Sequence, residues 1–171
     1  MKTVMEIFYL RVVGKSVRYQ RKQADLSRRG GDPDRVIRSL IHEKRRASSG
    51  RVEEKEFIVH STSWRYSKPN RVILTYIAYS DELEFKKGKA NNKANNQAKT
   101  LPLKSLRTIT KKSRKPRSRT ELEKKVVSHA MRHIAFLIQT GDQDDFKSAL
   151  QPETLKVFEK LWVSMAGKVL S

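Results

Sequence analysis

The sequence predicts an α+β domain, and three observations carry that expectation. Two neighbouring runs, "EFIVHSTSWRY" and "RVILTYIAYS", are dense in β-branched and aromatic residues and are separated by "SKPN", the pattern of a hairpin. Two later segments repeat their apolar residues at helical spacing instead. Around them lie stretches crowded with Lys and Arg that hold little a core could bury. The expected architecture is a small antiparallel sheet centred on a β-hairpin (about 55–66 and 71–80), packed against a C-terminal helical pair (about 121–140 and 152–169), with basic disordered segments. Residues 1–31 read as an N-terminal segment and basic linker. Residues 32–171 read as a single α+β domain containing a mobile basic insert at about 86–119.

In chain order, "MKTVMEIFYLRVV" has the apolar content of a leader, but Glu6 and Arg11 interrupt it and no small-residue cleavage site follows, so a strand or short helix is expected. The Arg-rich, acid-poor first thirty residues keep a cleaved targeting arm as the alternative. "RYQRKQADLSRRGGDPDR" is polar and broken by Gly30, Gly31 and Pro33, which reads as an irregular linker. Asp32 before Pro33 offers an N-cap with proline at the first helical position. Val36, Leu40 and Ile41 follow at helical spacing with Ile37 beside them, Lys44, Arg45 and Arg46 fall in the last turn, and "SSG" ends the helix.

In the hairpin, a four-residue loop sets Tyr66 opposite Arg71. Counting back puts Trp64 opposite Ile73, Thr62 opposite Thr75 and His60 opposite Ile77 on one face. The other face carries Phe57, Val59, Leu74, Tyr76 and Ala78, interrupted by Ser61 and Ser63. A hairpin alone is marginal in water, so a further strand is expected from residues 3–13 or from "TLPLKSLRTIT". The near-repeat in "KKGKANNKANNQAKT" has no apolar residue but Ala and reads as a mobile loop. Thr120 and Glu123 form a T-x-x-E capping box at the head of the next helix. That helix bears Val126, Val127, Ala130, Met131, Ile134, Leu137 and Ile138 as a wide stripe, with Phe136 outside it, and stops at Gly141. "DQDDF" suggests a short helix capped by Asp142. Pro152 opens a last helix whose Leu155, Phe158, Trp162, Met165 and Val169 are spaced for lying along another helix.

Composition bounds the function. Hydrophobic residues make up 37% and charged residues 33% of 171 residues, so a compact core fits part of the chain only. There is no cysteine, which excludes disulfides, thiolate ligands and cysteine nucleophiles and suits the reducing cytoplasm, the expected location. No stretch approaches the ~20 apolar residues needed to cross a bilayer. The net charge is +20; residues 11–51 hold +9 of it and residues 86–125 hold +13, while the rest of the chain sums to −2. Two single-signed blocks on a near-neutral body point to nucleic acid or an anionic surface. The plainer alternative is a solvated, solubilising connector.

The candidate phosphate contacts are Lys111, Lys112, Arg114, Lys115, Arg117 and Arg119, with Arg45 and Arg46 of the earlier block and Arg65 and Arg71 at the loop end of the hairpin. Ser113 and Ser118 add hydroxyl donors. Recognition-helix, zinc-finger, RRM, phosphate-loop and dinucleotide fingerprints are absent, so no base-sequence specificity is expected. RNA is favoured over DNA. Trp64, Tyr66, Tyr76 and Tyr79 beside Arg65, Lys68 and Arg71 have the composition of a base-stacking surface, though aromatic residues on strands more often form the core.

Two further constellations have plainer readings. His129 and His133, four residues apart, share a helix face and could reach one metal with a third ligand such as His60, but packing explains them more simply. Glu53, Glu54 and Glu56 could act as acid/base groups if buried, yet beside Arg51 and Lys55 they read as a solvated edge. No catalytic residue, metal or cofactor is called for.

"TSWRY" (62–66), "LTY" (74–76) and "HAMRHIAFL" (129–137) together resemble small conserved cyanobacterial proteins of unassigned function, over roughly Phe57 to Gly141 without the basic insert. That resemblance implies no activity and no site residues. It implies that residues 1–30 and 86–119 elaborate a shared core. The leading expectation is a non-enzymatic basic protein that binds RNA or another polyanion through its two Lys/Arg blocks. The alternative is a protein-interaction or assembly-factor subunit whose basic blocks serve solubility or an acidic partner.

Overall fold

A computed structural model describes residues 2–26, 31–47, 57–67, 69–85, 97–111, 116–140, 147 and 149–161. The described elements are β1 (Lys2–Val13), β2 (Ser16–Asp25), α1 (Pro33–Ala47), β3 (Ile58–Ser67), β4 (Arg71–Tyr79), β5 (Lys99–Pro102), a 3₁₀ turn (Leu103–Ser105), α2 (Leu106–Lys111), α3 (Arg119–Thr140) and α4 (Pro152–Lys160). The strands form one five-stranded sheet in the order β3-β4-β1-β2-β5. The fold is α+β, as the sequence predicts. The β3–β4 hairpin is antiparallel but occupies one end of the sheet, and β1 is the central strand, running parallel to β4. Seven consecutive β1 residues, Val4 to Leu10, are buried, the mark of a strand covered on both faces.

The chain forms two compact units, Met1–Arg11 with Tyr19–Lys99, and Val12–Arg18 with Thr100–Ser171. In the first, α1 closes one face of the sheet. Met5, Ile7 and Tyr9 of β1 meet Val36, Ile37, Leu40 and Ile41 of α1, together with Leu26, Ala78, Leu83 and Phe85. Fully burying each large side chain of such a set stabilises by about 1.5–3 kcal/mol. The Tyr9 hydroxyl donates to the Leu40 carbonyl at 2.9 Å, and Lys44 Nζ lies 5.7 Å from the centre of the Tyr9 ring and 5.1 Å from that of Phe85. Asp32 caps α1 as expected, its Oδ1 accepting the Asp34 N–H at 3.0 Å.

In the second unit, the chain leaves β5 through the 3₁₀ turn, where the Leu103 N–H donates to the Lys15 carbonyl at 3.0 Å. α2 is tied to α3 by Ser128 Oγ, which donates to the Leu106 carbonyl at 2.8 Å. α3 is buried without a break from Ala130 to Ala135, so its middle is enclosed nearly all round. Gln139 Nε2 stands 2.9, 3.1 and 3.0 Å from the carbonyls of Phe158, Glu159 and Leu161. It thereby gathers carbonyls at and just past the C-terminal end of α4, where helical donors run out.

Five expectations change. Residues 99–111, inside the expected mobile insert at 86–119, form β5, the 3₁₀ turn and α2, because Leu101 and Leu106 are buried. Residues 16–25 form a strand rather than a linker. The alternation begins with Val17 and Tyr19 buried, but Arg21 follows them and Gln23 beyond it is exposed, so the stretch reads as polar. The hairpin holds His60 opposite Ile77 as counted, yet Trp64 faces Leu74 and Tyr66 faces Val72, because the ladder slips between Ser61 and Ser63. Thr62 is the extra residue of this bulge. α3 begins at Arg119, and its cap is Ser118 rather than Thr120. Ser118 Oγ accepts the Glu121 N–H at 3.1 Å, and Glu121 Oε2 accepts the Arg117 N–H at 2.7 Å. "SRTE" and "TELE" carry the same box in overlapping registers, and Glu123 is buried on the inner side of the helix. Finally, α4 ends at Lys160 with Leu161 extended, short of the expected 169; Trp162, Met165 and Val169 lie outside the described residues, as do "SSG", residues 86–96, Gly141 and "DQDDF".

Candidate nucleic-acid interface

The bulge at Thr62 decides what the hairpin offers to solvent. Side chains alternate along a strand, and the extra residue inverts the alternation between the bulge and the turn. Trp64 and Tyr66 therefore share the face of Val59, Leu74 and Tyr76, and Arg65 shares the opposite face with Glu6 and Thr75. Trp64 is 63% and Tyr66 71% exposed, with ring centres 5.4 Å apart and planes crossed at 87°. β3 is an edge strand, so the pair stands on an open border of the sheet. Asn70, with φ of 45°, makes the turn behind it. The other two hairpin aromatics belong to the interior: Tyr79 is buried with its hydroxyl donating to Asp81 Oδ1 at 2.8 Å, and Tyr76 is half-buried. Burial pushes the Tyr76 phenol above its ordinary range, reinforced by the negative charges of Asp34 and Asp32.

On the opposite face lies a polar cluster that nothing in the local sequence announces. Glu6, 1% exposed, takes Arg21 Nε on one carboxylate oxygen and Arg65 Nη2 on the other. Arg65 Nη1 donates to Thr75 Oγ1 at 2.9 Å, and Gln23 Nε2 reaches Glu6 Oε1 at 3.5 Å. A carboxylate buried this deeply is tolerable only when its oxygens are paired. Arg65 is therefore engaged in structure, with 26% of its side chain exposed. Arg71 is half-buried, and its Nε is enclosed without a hydrogen-bond acceptor.

Of the other expected phosphate contacts, Arg117 is exposed, and Arg119 is half-exposed while its Nε bonds Glu123 Oε1 at 3.3 Å. Lys111 closes α2, and Arg45 and Arg46 lie in the last turn of α1; their side chains, like residues 112–115, fall outside the described residues. So do Lys68 and the acidic group Glu53, Glu54 and Glu56.

The second unit carries two recesses. The larger, about 580 Å³, runs between β5, α2 and the first turns of α3, with Lys104, Lys124 and Lys125 beside Glu121 on a largely apolar wall. The smaller, about 270 Å³, is lined by Leu103, Lys104, Leu106, Arg107, Arg132, Lys160 and Leu161. Arg132 is 8% exposed in the middle of α3, and its burial lowers the proton affinity of its guanidinium. Lys104, Arg107, Lys124 and Lys125 belong to the basic block 86–125, whereas Arg132 and Lys160 lie outside both blocks. Only Arg132 carries a signal in the sequence, as a charge inside the apolar half of "HAMRHIAF".

His129 and His133 stack with ring centres 6.3 Å apart. Burial, with Arg132 adding repulsion, holds His129 below its ordinary value of 6.5, and burial alone does the same for His60. Among the described residues, no three His, Asp or Glu side chains converge as a metal site would require, and no helix is long and apolar enough to cross a membrane. No protein-family model matches the chain, and no curated protein matches it at a significant level.

Proposed function

We propose that the chain is a non-enzymatic RNA-binding protein that holds unpaired bases on Trp64 and Tyr66 and neutralises phosphates with its excess Lys and Arg. The observation that carries this reading is the exposure of the two rings. Large aromatic side chains presented together on an open sheet border forgo the burial that normally places them in a core. Every base has a π-face, so such a pair serves single strands without reading sequence, and each stacked base is worth about 1–3 kcal/mol. The platform supplies stacking, and the phosphates fall to the Lys/Arg blocks. With a net charge of +20, binding is expected to weaken steeply with salt.

The test is a titration of an RNA hairpin with a long unpaired loop at two salt concentrations. Affinity should fall sharply with salt, and Trp64→Ala or Tyr66→Ala should each weaken it by roughly 5- to 150-fold with the thermal midpoint unchanged. Absence of binding at low salt, indifference to salt, or aromatic variants that bind like the parent would each defeat the reading.

A second reading is favoured by the same border: an edge strand with two exposed rings can accept a partner's strand. Under it the chain is an interaction subunit, and its Lys/Arg blocks serve solubility or an acidic partner. Sedimentation separates the two readings, since replacing Lys111, Lys112, Arg114 and Lys115 by Gln, which leaves β5 and the body of α2 in place, should leave assembly intact under this one and sharply weaken RNA binding under the first.

A further inference from the structure

We propose that the recess framed by Lys104, Arg107, Arg132 and Lys160 is a phosphoryl-anion site. It shares no residue with the aromatic platform and does not rest on the RNA reading. Three parts of the chain supply its walls: the segment from the 3₁₀ turn into α2, the centre of α3, and the end of α4. They bring four cationic side chains and three leucines, with no acid among the described lining residues. Like charges gathered around one volume repel each other, and an anion inside it relieves that repulsion. Leucine walls keep the dielectric low and make each contact stronger than it would be in water.

Size and donor geometry narrow the ligand class. About 270 Å³ holds a phosphoryl or diphosphate group with some of its water, at roughly 30 Å³ per water molecule. A planar carboxylate takes one guanidinium fork. A tetrahedral phosphoryl group presents oxygens in several directions, and here donors arrive from three directions. Arg107 and Arg132 supply planar forks matched to phosphate oxygens, and the lysines supply point charges. The floor and rim differ as a binding site requires: Arg132 is buried, while Lys104, Arg107 and Lys160 are exposed at the mouth.

The walls are also fixed in advance. Ser128 ties α3 to the Leu106 carbonyl, and Gln139 ties α3 to the carbonyls of Phe158, Glu159 and Leu161. Two side chains of α3 thus hold α2 and α4 on either side of Arg132, which belongs to the same helix. Supporting contacts of this kind hold a binding geometry before the ligand arrives. The phosphoryl group can come from a nucleic-acid backbone or from a small free phosphorylated compound.

The experiment titrates the full chain with pyrophosphate at constant ionic strength, with chloride as the control, following backbone amides by NMR. Saturable shifts confined to residues 103–107, 132 and 160–161 are expected. The double variant Lys104→Gln/Lys160→Gln changes only exposed side chains and should lose about 10- to 100-fold in affinity. Arg132→Lys, which keeps the charge and removes the fork, should bind more weakly than the parent. Non-saturating shifts spread over the chain, or a double variant that binds like the parent, would overturn the site. RNA titrations of the same variant assign the source. Loss of RNA affinity marks a backbone phosphate, and unchanged RNA affinity marks a free phosphorylated compound. Pyrophosphate binding in a chain that binds no RNA would leave the site standing and remove the RNA reading.

Discussion

Around Glu6, two arginines meet a carboxylate that is 1% exposed, and a threonine hydroxyl completes the set. Around the recess of the second unit, four cations from three segments meet an open volume walled by leucine. The residue chemistry is nearly the same, and the arrangements are opposite. The first cluster carries its own counter-charge and is closed. The second is single-signed among its described lining residues and has a mouth. Cations that close on a carboxylate of the fold therefore speak for structure, and cations that line an open volume speak for a ligand.

The largest expected effect tests the closed cluster. Glu6→Gln leaves Arg21 and Arg65 facing a neutral amide, and breaking a buried pair in this way costs about 3–5 kcal/mol, read as a fall in the denaturant midpoint. Arg65→Gln, at a more exposed partner, should cost less. A Glu6→Gln protein as stable as the parent would dissolve the contrast between the clusters. The open cluster should answer in the opposite sense. Without ligand, Lys104→Gln/Lys160→Gln should stay within about 0.5 kcal/mol of the parent. Pyrophosphate at a hundred times its dissociation constant should stabilise the parent by about 2.7 kcal/mol and the double variant far less.

A smaller effect concerns the wall of the open cluster. Gln139→Ala removes the donor that serves the end of α4 and should cost about 1 kcal/mol, with pyrophosphate affinity falling alongside. If affinity holds while stability falls, α4 is not being positioned for the ligand. The mildest effect is a dependence on pH. His60 and His129 titrate lower in the fold than their ordinary 6.5, so below that pH the unfolded chain takes up protons that the folded chain refuses. Their contribution is fully present above pH 6.5 and is lost progressively as pH falls toward the folded values. Denaturant midpoints measured from pH 7.5 down to 5 should decline, and less so in His129→Gln. Because Arg132 is part of the depression at His129, pyrophosphate should move the His129 titration upward.

Legibility in the sequence follows the same division. The β3–β4 pair, α1 with its Asp32 cap and the buried stripe of α3 were readable because apolar periodicity and cap chemistry are local. β2 was not, since its alternation passes from Val17 and Tyr19 to Arg21, whose partner Glu6 lies on another strand, and then to exposed Gln23. The cap of α3 was ambiguous because two S/T-x-x-E registers overlap, and burial of Glu123 decides between them. In the candidate site, the dense Lys/Arg runs were conspicuous, but much of them lies outside the described residues, and Arg65 and Arg119 hold carboxylates of the fold. The cations of the recess are scattered from 104 to 160, and only folding gathers them. The exposure of Trp64 and Tyr66 follows from the register between the slip and the turn, which no propensity marks.

That unpaired residue makes the hairpin sensitive to pairing register rather than to chemistry. Strand faces follow odd and even positions, and Thr62 changes the parity of everything between it and the turn. Deleting Thr62 would leave Ser61 opposite Tyr76 and Ser63 opposite Thr75, as they stand now, and would keep the aromatic pair outward in a regular ladder. A strand that absorbed Thr62 into its pairing would instead turn Trp64 and Tyr66 toward Glu6 and put Arg65 in solvent. A slip of pairing by this one residue, then, would exchange an aromatic border for a basic one with no change of sequence at all.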